Sequence, residues 1–318
     1  MTQGWNTLAV VMEGPERLAL DRLALQSPAD GDIVVATEWS GISTGTERLL
    51  WSGKMPPFPG MGYPLVPGYE SVGRIEAVGR HVHNRRIGER VFVPGARCYR
   101  DVRGLFGGAA SRLVVPATRA TLLDESLGEN AVLLALAATA RHAMAAAHAA
   151  PPELIVGHGV LGRLLARITI ASGAPAPTVW ELNAVRTAGA EGYRVCTPEQ
   201  DSRRDYRAVY DVSGDARILD SLIGRLAPGG EVVLAGFYTD PMSFNFTAAF
   251  MREARLRVAA EWKEDDLTAV LRWIAAGRLS LEGLITHRCE ANAADQAYRQ
   301  AFVDPSCLKM ILDWRQAA

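Results

Sequence analysis

The chain has 318 residues, of which 48% are hydrophobic and 22% are charged, close to the values of ordinary globular proteins. This composition excludes a disordered chain, and the length predicts about two domains at roughly 150 residues each. Thirty-four Lys and Arg residues balance 35 Asp and Glu residues, and the net charge of -1 gives no reason to expect nucleic acid or an anionic membrane surface as a partner.

The cysteines are typical of a protein in a reducing compartment, and the apolar stretches give no sign of a membrane segment. The four cysteines stand far apart without a CxxC pair, so we expect neither a disulfide framework nor a cysteine-rich zinc site. The N-terminal segment has no basic start followed by an apolar run, and the longest strongly apolar stretch, residues 131–140, is too short for a membrane span. We therefore expect a cytoplasmic protein without integral membrane association.

The first 125 residues predict a β-rich domain, because runs of β-branched residues lie between Gly and Pro clusters. The predicted strands cover residues 8–12, 32–39, 71–79, 90–94 and 111–116. The segment from Trp51 to Gly68 is so rich in Pro and Gly that it predicts an ordered loop.

The pattern changes near Glu129, where an Ala-rich stretch predicts one long helix that is stopped by Pro151. Strands then alternate with helices, which favours a doubly wound parallel sheet. The predicted strands are residues 153–157, 178–182, 206–214, 230–237 and one near 256–262. The tail from Ile285 returns to mixed character and ends in an apolar strand.

The segment GHGVLG follows a predicted strand and opens a helix, as a dinucleotide-binding loop requires. In such a loop Gly157 makes the tight turn, Gly159 lets the backbone approach a pyrophosphate, and Gly162 lets the helix pack on the strand. The phosphate then lies at the positive end of the helix. We predict that this loop binds a dinucleotide through all six of its residues, including His158, Val160 and Leu161; the alternative is a tight turn with no ligand.

An acidic residue closes the second strand of this unit. Glu181 comes nineteen residues after Gly162, near the spacing expected for the acid that binds the ribose hydroxyls. Such an acid favours NAD over NADP, although Arg186 lies close enough to offer a 2′-phosphate a partner. Other candidate cofactor-binding residues follow the carboxyl ends of strands: Asn183, Ser213, Gly214 and Gly236.

The order of these parts, with LVPGYESVGRIEAVG and GISTGTE, resembles the medium-chain dehydrogenase/reductase superfamily. The resemblance implies an α/β fold with a GroES-like β-rich catalytic domain, residues 1–125 completed by 285–318, and a Rossmann domain, residues 126–284. Substrate is then expected in the cleft between the domains. The resemblance also implies that Thr139 contacts the nicotinamide end, that Lys309 lies near the pyrophosphate and that the protein forms a homodimer.

Many members of this superfamily are zinc alcohol dehydrogenases, and the ligand positions of their pattern are not kept here. Ser43 and Thr44 stand where the family cysteine would be, Tyr69 stands in place of the histidine, and the third position corresponds roughly to Ala135. Catalytic zinc needs about three protein ligands, and only Glu70 survives. We therefore predict no metal.

Within the superfamily, four segments resemble the branch that acts in bacteriochlorophyll biosynthesis: WSGISTGTERLLWSG, PLVPGYESVG, GHGVLGRL and LKMILDW. This resemblance implies a tetrapyrrole substrate whose 1-hydroxyethyl group is oxidised to acetyl with NAD as acceptor. The alternatives are a zinc-free quinone or enoyl reductase that uses NADPH, and a protein that holds a dinucleotide or a pigment without turnover.

Without zinc, side chains of the protein must bind the hydroxyl group of the substrate. The candidates at the expected position are Tyr69 and Glu70, with Ser43, Thr44 and Thr46 opposite. A phenol titrates near ~10, so we expect Tyr69 to orient the hydroxyl rather than remove its proton. Glu70 has the alternative of a buried structural carboxylate paired with an arginine. A lone helical histidine, His142, is expected to be a packed residue.

Aromatic and Met side chains occur together in the Pro/Gly-rich loop. A flat apolar macrocycle needs such a wall, which predicts substrate contacts for four residues: Trp51, Met55, Phe58 and Tyr63. The alternative is a cluster that covers the core of the domain.

Overall fold

The computed structural model describes residues 4–57 and 59–317, and it shows the chain as two units joined at Leu134 and Gly283. The strands are, in chain order, β1 Asn6–Gly14, β2 Arg17–Ala24, β3 Asp32–Ile42, β4 Leu65–Val66, β5 Ser71–Val78, β6 Arg90–Val93, β7 Arg103–Gly104, β8 Arg112–Pro116, β9 Thr121–Leu122, β10 Leu154–Val156, β11 Thr178–Trp180, β12 Arg194–Cys196, β13 Tyr206–Asp211, β14 Leu226–Leu234, β15 Arg255–Val258, β16 His287–Glu290 and β17 Met310–Asp313. The α-helices are α1 Thr46–Trp51, α2 Leu134–Ala143, α3 Val160–Ala171, α4 Leu219–Ile223, α5 Phe246–Phe250, α6 Glu264–Ala275 and α7 Ala294–Val303.

The first unit comprises Met1–Leu134 and Leu284–Ala318 and holds two sheets. The smaller has the order β2-β1-β4-β7, and the larger has the order β16-β17-β3-β5-β6-β9 with β8 added on β3. β3 forms the centre of the larger sheet, since it pairs antiparallel with β5, β8 and β17. Its run of β-branched residues, Ile33 to Val35, is buried, as expected for a strand covered on both faces.

The C-terminal segment returns to the first unit through β17. Met310 pairs with Ile42 and Asp313 pairs with Trp39, so β17 lies along the last residues of β3. This pairing brings Lys309, the residue before β17, next to the turn in which β3 ends.

The second unit is the continuous stretch Ala135–Gly283, with a six-stranded parallel sheet in the order β12-β11-β10-β13-β14-β15. The strand order reverses between β10 and β13, and ligands of such sheets bind beyond the carboxyl ends of the strands at that reversal. The GHGVLG loop follows β10, and Ser213 follows β13. The predicted fold class is thereby confirmed.

One predicted helix is wrong. The stretch from Glu129 to Ala150 does not form a single helix, because a 3-10 segment, Glu125–Leu133, leads into α2, which ends at Ala143. The carbonyl of Ala143 accepts a hydrogen bond from Arg257, and His148 adopts a left-handed backbone conformation. Two further elements, α1 and α7, lie where no helix was predicted.

In the part of the chain that the structure describes, no helix combines the length and the apolar character required to cross a bilayer.

Candidate functional site

Three hydroxyl side chains meet where β3 ends and β5 begins, because these two strands pair antiparallel. The hydroxyl of Tyr69 donates a hydrogen bond to Oγ of Ser43 at 2.8 Å, and the side chain of Thr46 also hydrogen-bonds to Tyr69. The ring of Phe106 packs edge-on against Tyr69, with centroids 5.3 Å apart. Thr44 lies half-buried in the turn that follows Ser43. The structure therefore brings together three of the residues predicted here, Ser43, Thr46 and Tyr69.

The surroundings of Tyr69 keep its phenol protonated. Burial raises the pKa of Tyr69, and the neighbouring carboxyl group of Glu70 raises it further. A tyrosine of this kind donates a hydrogen bond at neutral pH and does not act as a base. The orienting role expected of Tyr69 from the sequence stays a prediction.

Glu70 forms a buried ion pair with Lys309. Their exposed fractions are 0% and 1%, and the ammonium group donates to the two carboxylate oxygens at 2.9 and 2.7 Å. It also donates to the carbonyl of Ile42 at 3.2 Å. A Cβ atom on Gly41 would lie 2.0 Å from Oε2 of Glu70, so only glycine fits beside the pair. Glu70 is thus a paired, buried carboxylate whose partner is a lysine and not an arginine.

Lys309, which the resemblance placed near a pyrophosphate, is bound within the first unit, and its position relative to a pyrophosphate stays a prediction. Its Nζ is buried in the first unit, where its three hydrogen bonds go to Glu70 and to Ile42. The reason is the pairing of β17 with β3, which draws the residue before β17 into the core of that unit.

A second buried carboxyl group lies in the same region and was not predicted. Oε1 of Glu47 accepts a hydrogen bond from the backbone N–H of Ser43 at 3.0 Å, and Oε2 accepts one from the hydroxyl of Tyr298 at 2.6 Å. Burial raises the pKa of Glu47 to about 7, against the opposing effect of both hydrogen bonds. Glu47 is the last residue of GISTGTE, so its place in this motif could have pointed to it. Tyr298 lies on helix α7, which was not predicted, and no sequence signal pointed to it.

The residues present do not fit a zinc ion. Within residues 4–57 and 59–317, no group of three or more His, Cys, Asp or Glu side chains could hold a metal. Hydroxyl groups of Ser43 and Tyr69 stand at two of the family's ligand positions, and both oxygens of Glu70 are bound by an ammonium group.

The backbone geometry of the phosphate loop requires glycine at two of its positions, Gly157 and Gly162. Gly157 has a φ of +103°, which glycine adopts readily. A Cβ atom on Gly162 would lie 1.9 Å from the carbonyl oxygen of Gly157, whereas one on Gly159 would meet nothing within 4 Å. Gly159 caps α3 without a side-chain hydrogen bond, and Val160 and Leu161 form the first turn of that helix. The first-turn N–H groups are therefore suited to a phosphate, and the loop fits a dinucleotide.

Glu181 lies beside this loop, one residue after β11. Its Oε2 accepts a hydrogen bond from the backbone N–H of His158 at 3.1 Å, and its Oε1 accepts one from that of Asn183 at 2.7 Å. The carboxylate is half-buried and is held at the strand end where a ribose-binding acid is expected.

The ring of His158 has a structural role. Its Nδ1 lies 2.6 Å from the carbonyl oxygen of Arg186 and must donate, so its Nε2 accepts from the hydroxyl of Tyr193 at 2.8 Å. Burial lowers the pKa of His158 to about 4, and the ring stays neutral. The guanidinium of Arg163 donates to the carbonyls of His158, Arg186, Ala188 and Gly189, which ties the phosphate loop to the segment after β11.

An acid that the sequence analysis missed organises the ends of β13 and β14. Oδ1 of Asp211 accepts from the backbone N–H of Ser213 at 2.9 Å, and Oδ2 accepts from the hydroxyl of Tyr238 at 2.9 Å. The backbone N–H of Gly236 donates to the carbonyl of Asp211 at 3.1 Å, and Gly214 has a φ of +73°. The three predicted residues Ser213, Gly214 and Gly236 are thus gathered at the edge where the strand order reverses.

Two polar side chains of α2 are bound within the second unit. Thr139 donates a hydrogen bond to the carbonyl of Ala135 at 2.9 Å. Nδ1 of His142 lies 2.8 Å from Oδ2 of Asp266, which also accepts from the backbone N–H of Lys263 and caps α6. His142 is therefore a packed residue, as expected.

The Pro/Gly-rich loop packs on the core of the first unit. The ring of Trp51 lies 5.5 Å from that of Phe302, between centroids, and Met55 and Tyr63 contact the same core cluster. The hydroxyl of Tyr63 donates to the carbonyl of Leu50. Each of these three predicted substrate residues is half-buried, and the fourth, Phe58, lies outside the described residues.

Comparison with known proteins gives relatives along the whole chain. Residues 29–125 match the Alcohol dehydrogenase GroES-like domain. The 2-desacetyl-2-hydroxyethyl bacteriochlorophyllide A dehydrogenase of Cereibacter sphaeroides is 56% identical over 318 residues, which cover 98% of this chain and 100% of the relative.

Solved structures share the fold. A short chain alcohol dehydrogenase of Escherichia coli CFT073 in complex with NADH superposes with a TM-score of 0.83 at 22% identity, covering 98% of this chain and 100% of the other. A dehydrogenase of Sinorhizobium meliloti 1021 bound to NADP gives a TM-score of 0.80 at 18% identity, covering 97% and 99%.

Proposed function

The chain belongs to the family of 2-desacetyl-2-hydroxyethyl bacteriochlorophyllide A dehydrogenases in the medium-chain dehydrogenase/reductase superfamily, and we propose that it oxidises the 1-hydroxyethyl group of a bacteriochlorophyllide to acetyl with NAD and without zinc. The observation that carries this proposal is the 56% identity over 98% of the chain. The members of this family are dehydrogenases.

The reaction removes a hydride from the carbinol carbon and a proton from the hydroxyl oxygen, and a carbonyl group forms while the proton is released to solvent. The phosphate loop and the first turn of α3 would hold the pyrophosphate of a nicotinamide dinucleotide, and Glu181 would accept hydrogen bonds from its ribose. The cofactor would supply the hydride acceptor. The phenol of Tyr69 donates its proton to Oγ of Ser43, so its oxygen accepts a hydrogen bond from the substrate hydroxyl and orients it.

The preference for NAD is supported by Glu181. A carboxylate at this strand end accepts hydrogen bonds from a 2′-hydroxyl group and repels a 2′-phosphate. Comparison of kcat/KM with NAD and NADP tests this proposal, and a higher value with NADP would contradict it. In that case quinones and activated alkenes become the substrates to assay.

Zinc independence is supported by the side chains that occupy the ligand positions. Ser43 and Tyr69 offer hydroxyl groups where the family pattern has thiolate and imidazole, and Lys309 neutralises Glu70. A protein that is dialysed against a chelator should keep its full rate, and recovery of lost activity by added zinc would contradict the proposal.

The half-exposed sides of Trp51, Met55 and Tyr63 form part of the wall that we propose for the macrocycle. Their other sides pack on the core, which holds the wall rigid. Replacement of Met55 by Glu should raise the KM for the pigment and leave the KM for NAD unchanged.

We further propose a homodimer through β15, the outer strand of the six-stranded sheet. Val258 on β15 is 74% exposed, and the nearby Phe246 and Met251 are 69% and 71% exposed. A second copy that pairs along this edge would cover both the apolar side chains and the open backbone groups. Sedimentation of the wild type and of Val258→Arg tests this assembly.

The decisive experiment mixes the chelator-treated protein with NAD and a 3-hydroxyethyl bacteriochlorophyllide. Conversion to acetyl shifts the long-wavelength pigment band to the red while NADH forms. The matched control is Glu181→Ala, which should lose the NAD-linked rate at low cofactor concentration. Binding of both ligands without hydride exchange would overturn the proposal and leave a binding protein.

A further inference from the structure

The carboxyl group of Glu47 is fully buried and titratable, and no step described above uses it. Glu47 is the second residue of α1, and it follows Thr46 and hydrogen-bonds to Ser43, two members of the hydroxyl cluster of Ser43, Thr46 and Tyr69. Its two oxygens face in different directions. One binds the backbone of Ser43, and the other binds Tyr298 on α7.

The first of these contacts connects Glu47 to Tyr69. Oε1 of Glu47 accepts from the N–H of Ser43 at 3.0 Å, which fixes the residue whose Oγ accepts from the hydroxyl of Tyr69 at 2.8 Å. The N–H of Glu47 in turn donates to the carbonyl of Ser43 at 3.1 Å, which closes a ring of hydrogen bonds around Ser43. A movement of this carboxyl group would therefore move the acceptor that sets the direction of the phenol.

We propose that Glu47 is a positioning residue: its carboxylate fixes Ser43 and, through Ser43, holds the phenol proton of Tyr69 on Oγ of Ser43, which leaves the phenol oxygen free to accept a hydrogen bond from the alcohol hydroxyl of the substrate. This inference rests on the proposed function for the identity of that substrate. The ionised carboxylate is the active form, because a charged oxygen accepts the hydrogen bond from the N–H of Ser43 more strongly than the same oxygen of a neutral carboxyl group does.

The surroundings of Glu47, above all its burial, place its pKa in the physiological range. Burial raises its pKa to about 7, and the hydroxyl of Tyr298 lowers it. The other facing groups are Glu70 and Lys309, which raise and lower it respectively and are paired with each other. Tyr69 carries no charge at neutral pH. The rate should therefore fall as the pH drops through about 7.

The test compares the pH profiles of kcat of the wild type, Glu47→Gln and Tyr298→Phe. The wild type should show a limb near pH 7, and Glu47→Gln, which cannot ionise, should lose that limb. Tyr298→Phe removes a hydrogen bond that favours the ionised form, so its limb should move to higher pH. Glu47→Ala should lower kcat by roughly 10- to 100-fold with the affinity for NADH unchanged, because misplacement of an orienting group acts on the rate.

A second measurement does not depend on turnover. Infrared difference spectra across this pH range should show the carboxyl band of Glu47, assigned by its loss in Glu47→Gln. The phenol signal of Tyr69, assigned with Tyr69→Phe, should change with the same midpoint and should stop changing in Glu47→Gln.

The two proposals fail separately. Absence of wild-type turnover with the hydroxyethyl pigment removes the proposed function, while the infrared titration still decides on the coupling of Glu47 to Tyr69. A Glu47→Gln protein that keeps both the wild-type limb and the phenol titration overturns the positioning role. If that variant does not fold, an unshifted limb in Tyr298→Phe overturns it instead.

Discussion

At the scale of single residues, the candidate site depends on two buried carboxyl groups that are stabilised in different ways. Glu70 has a full positive charge against both of its oxygens, whereas Glu47 has two uncharged donors. A buried carboxylate costs several kcal/mol of desolvation, and a cation offsets much more of this cost than a hydroxyl group does. The two acids should therefore respond differently to substitution and to pH.

Replacement of Lys309 by Met should destabilise the protein by about 3–5 kcal/mol, because it leaves the carboxylate of Glu70 buried without a partner. The loss of stability should be smaller at acidic pH, because Glu70 can bind a proton there and is then buried without a charge. The double variant Glu70→Gln, Lys309→Met is the control, and it should recover part of the loss. Urea unfolding measures both, and equal losses in the single and double variants would contradict a buried charge pair.

The stability of the wild type relative to Glu47→Gln should depend on pH. The pKa of Glu47 is about 7 in the folded state and 4.5 without burial, so the folded state binds the proton more tightly. Its contribution is therefore full below pH 4.5 and is lost as the pH rises to about 7. The expected loss is about 3 kcal/mol, at about 1.4 kcal/mol per pH unit.

Urea unfolding of both proteins across this range measures the difference, since Gln does not titrate. Parallel pH profiles for the two proteins would show that folding does not raise the pKa of Glu47.

At the scale of elements, the connection from β10 to α3 contains one glycine that is required for packing and another that we expect to be required for binding. Gly162 touches the carbonyl of Gly157 and leaves no room for a Cβ atom, whereas Gly159 has open space where a pyrophosphate is expected. The two glycines of one loop thus meet different physical needs, and substitution can distinguish them.

Gly162→Ala should destabilise the protein by about 1–3 kcal/mol, because α3 must move away from the loop to admit the new methyl group. Gly159→Ala should change the stability by less than about 0.5 kcal/mol. It should nevertheless weaken NADH binding by roughly tenfold or more, or about 1.4 kcal/mol. Thermal unfolding and NADH fluorescence titration measure the pair. Normal NADH binding by Gly159→Ala would contradict a phosphate at this position.

The elements that the sequence predicted well are those with local signals. The alternation of strands and helices after Glu153 predicts the parallel sheet, and the glycine spacing predicts where the loop lies. The failures have non-local causes. The hydrogen bond between Glu47 and Tyr298 joins residues 251 positions apart in the chain, and no local sequence pattern at either residue predicts the contact. Lys309 was not predicted as the partner of Glu70, because its environment is set by the pairing of β17 with β3.

At the scale of the whole molecule, the two units draw on the chain in different ways. The second unit is the single stretch Ala135–Gly283, while the first needs both Met1–Leu134 and Leu284–Ala318. The returning segment supplies β17 to the edge of β3 and Lys309 to Glu70. It also supplies α7, whose Tyr298 and Phe302 belong to the core of the first unit.

A fragment of residues 135–283 should therefore fold alone and bind NADH, since its sheet and its phosphate loop are complete. A fragment of residues 1–134 should not fold, because it leaves one edge of β3 open and the carboxylate of Glu70 buried without its lysine. Addition of a peptide of residues 284–318 should restore β-structure to this fragment, and the same peptide with Lys309→Met should restore much less. Circular dichroism and NADH fluorescence measure these outcomes. Independent folding of residues 1–134 would show that the β17 pairing and the buried ion pair are dispensable for that unit.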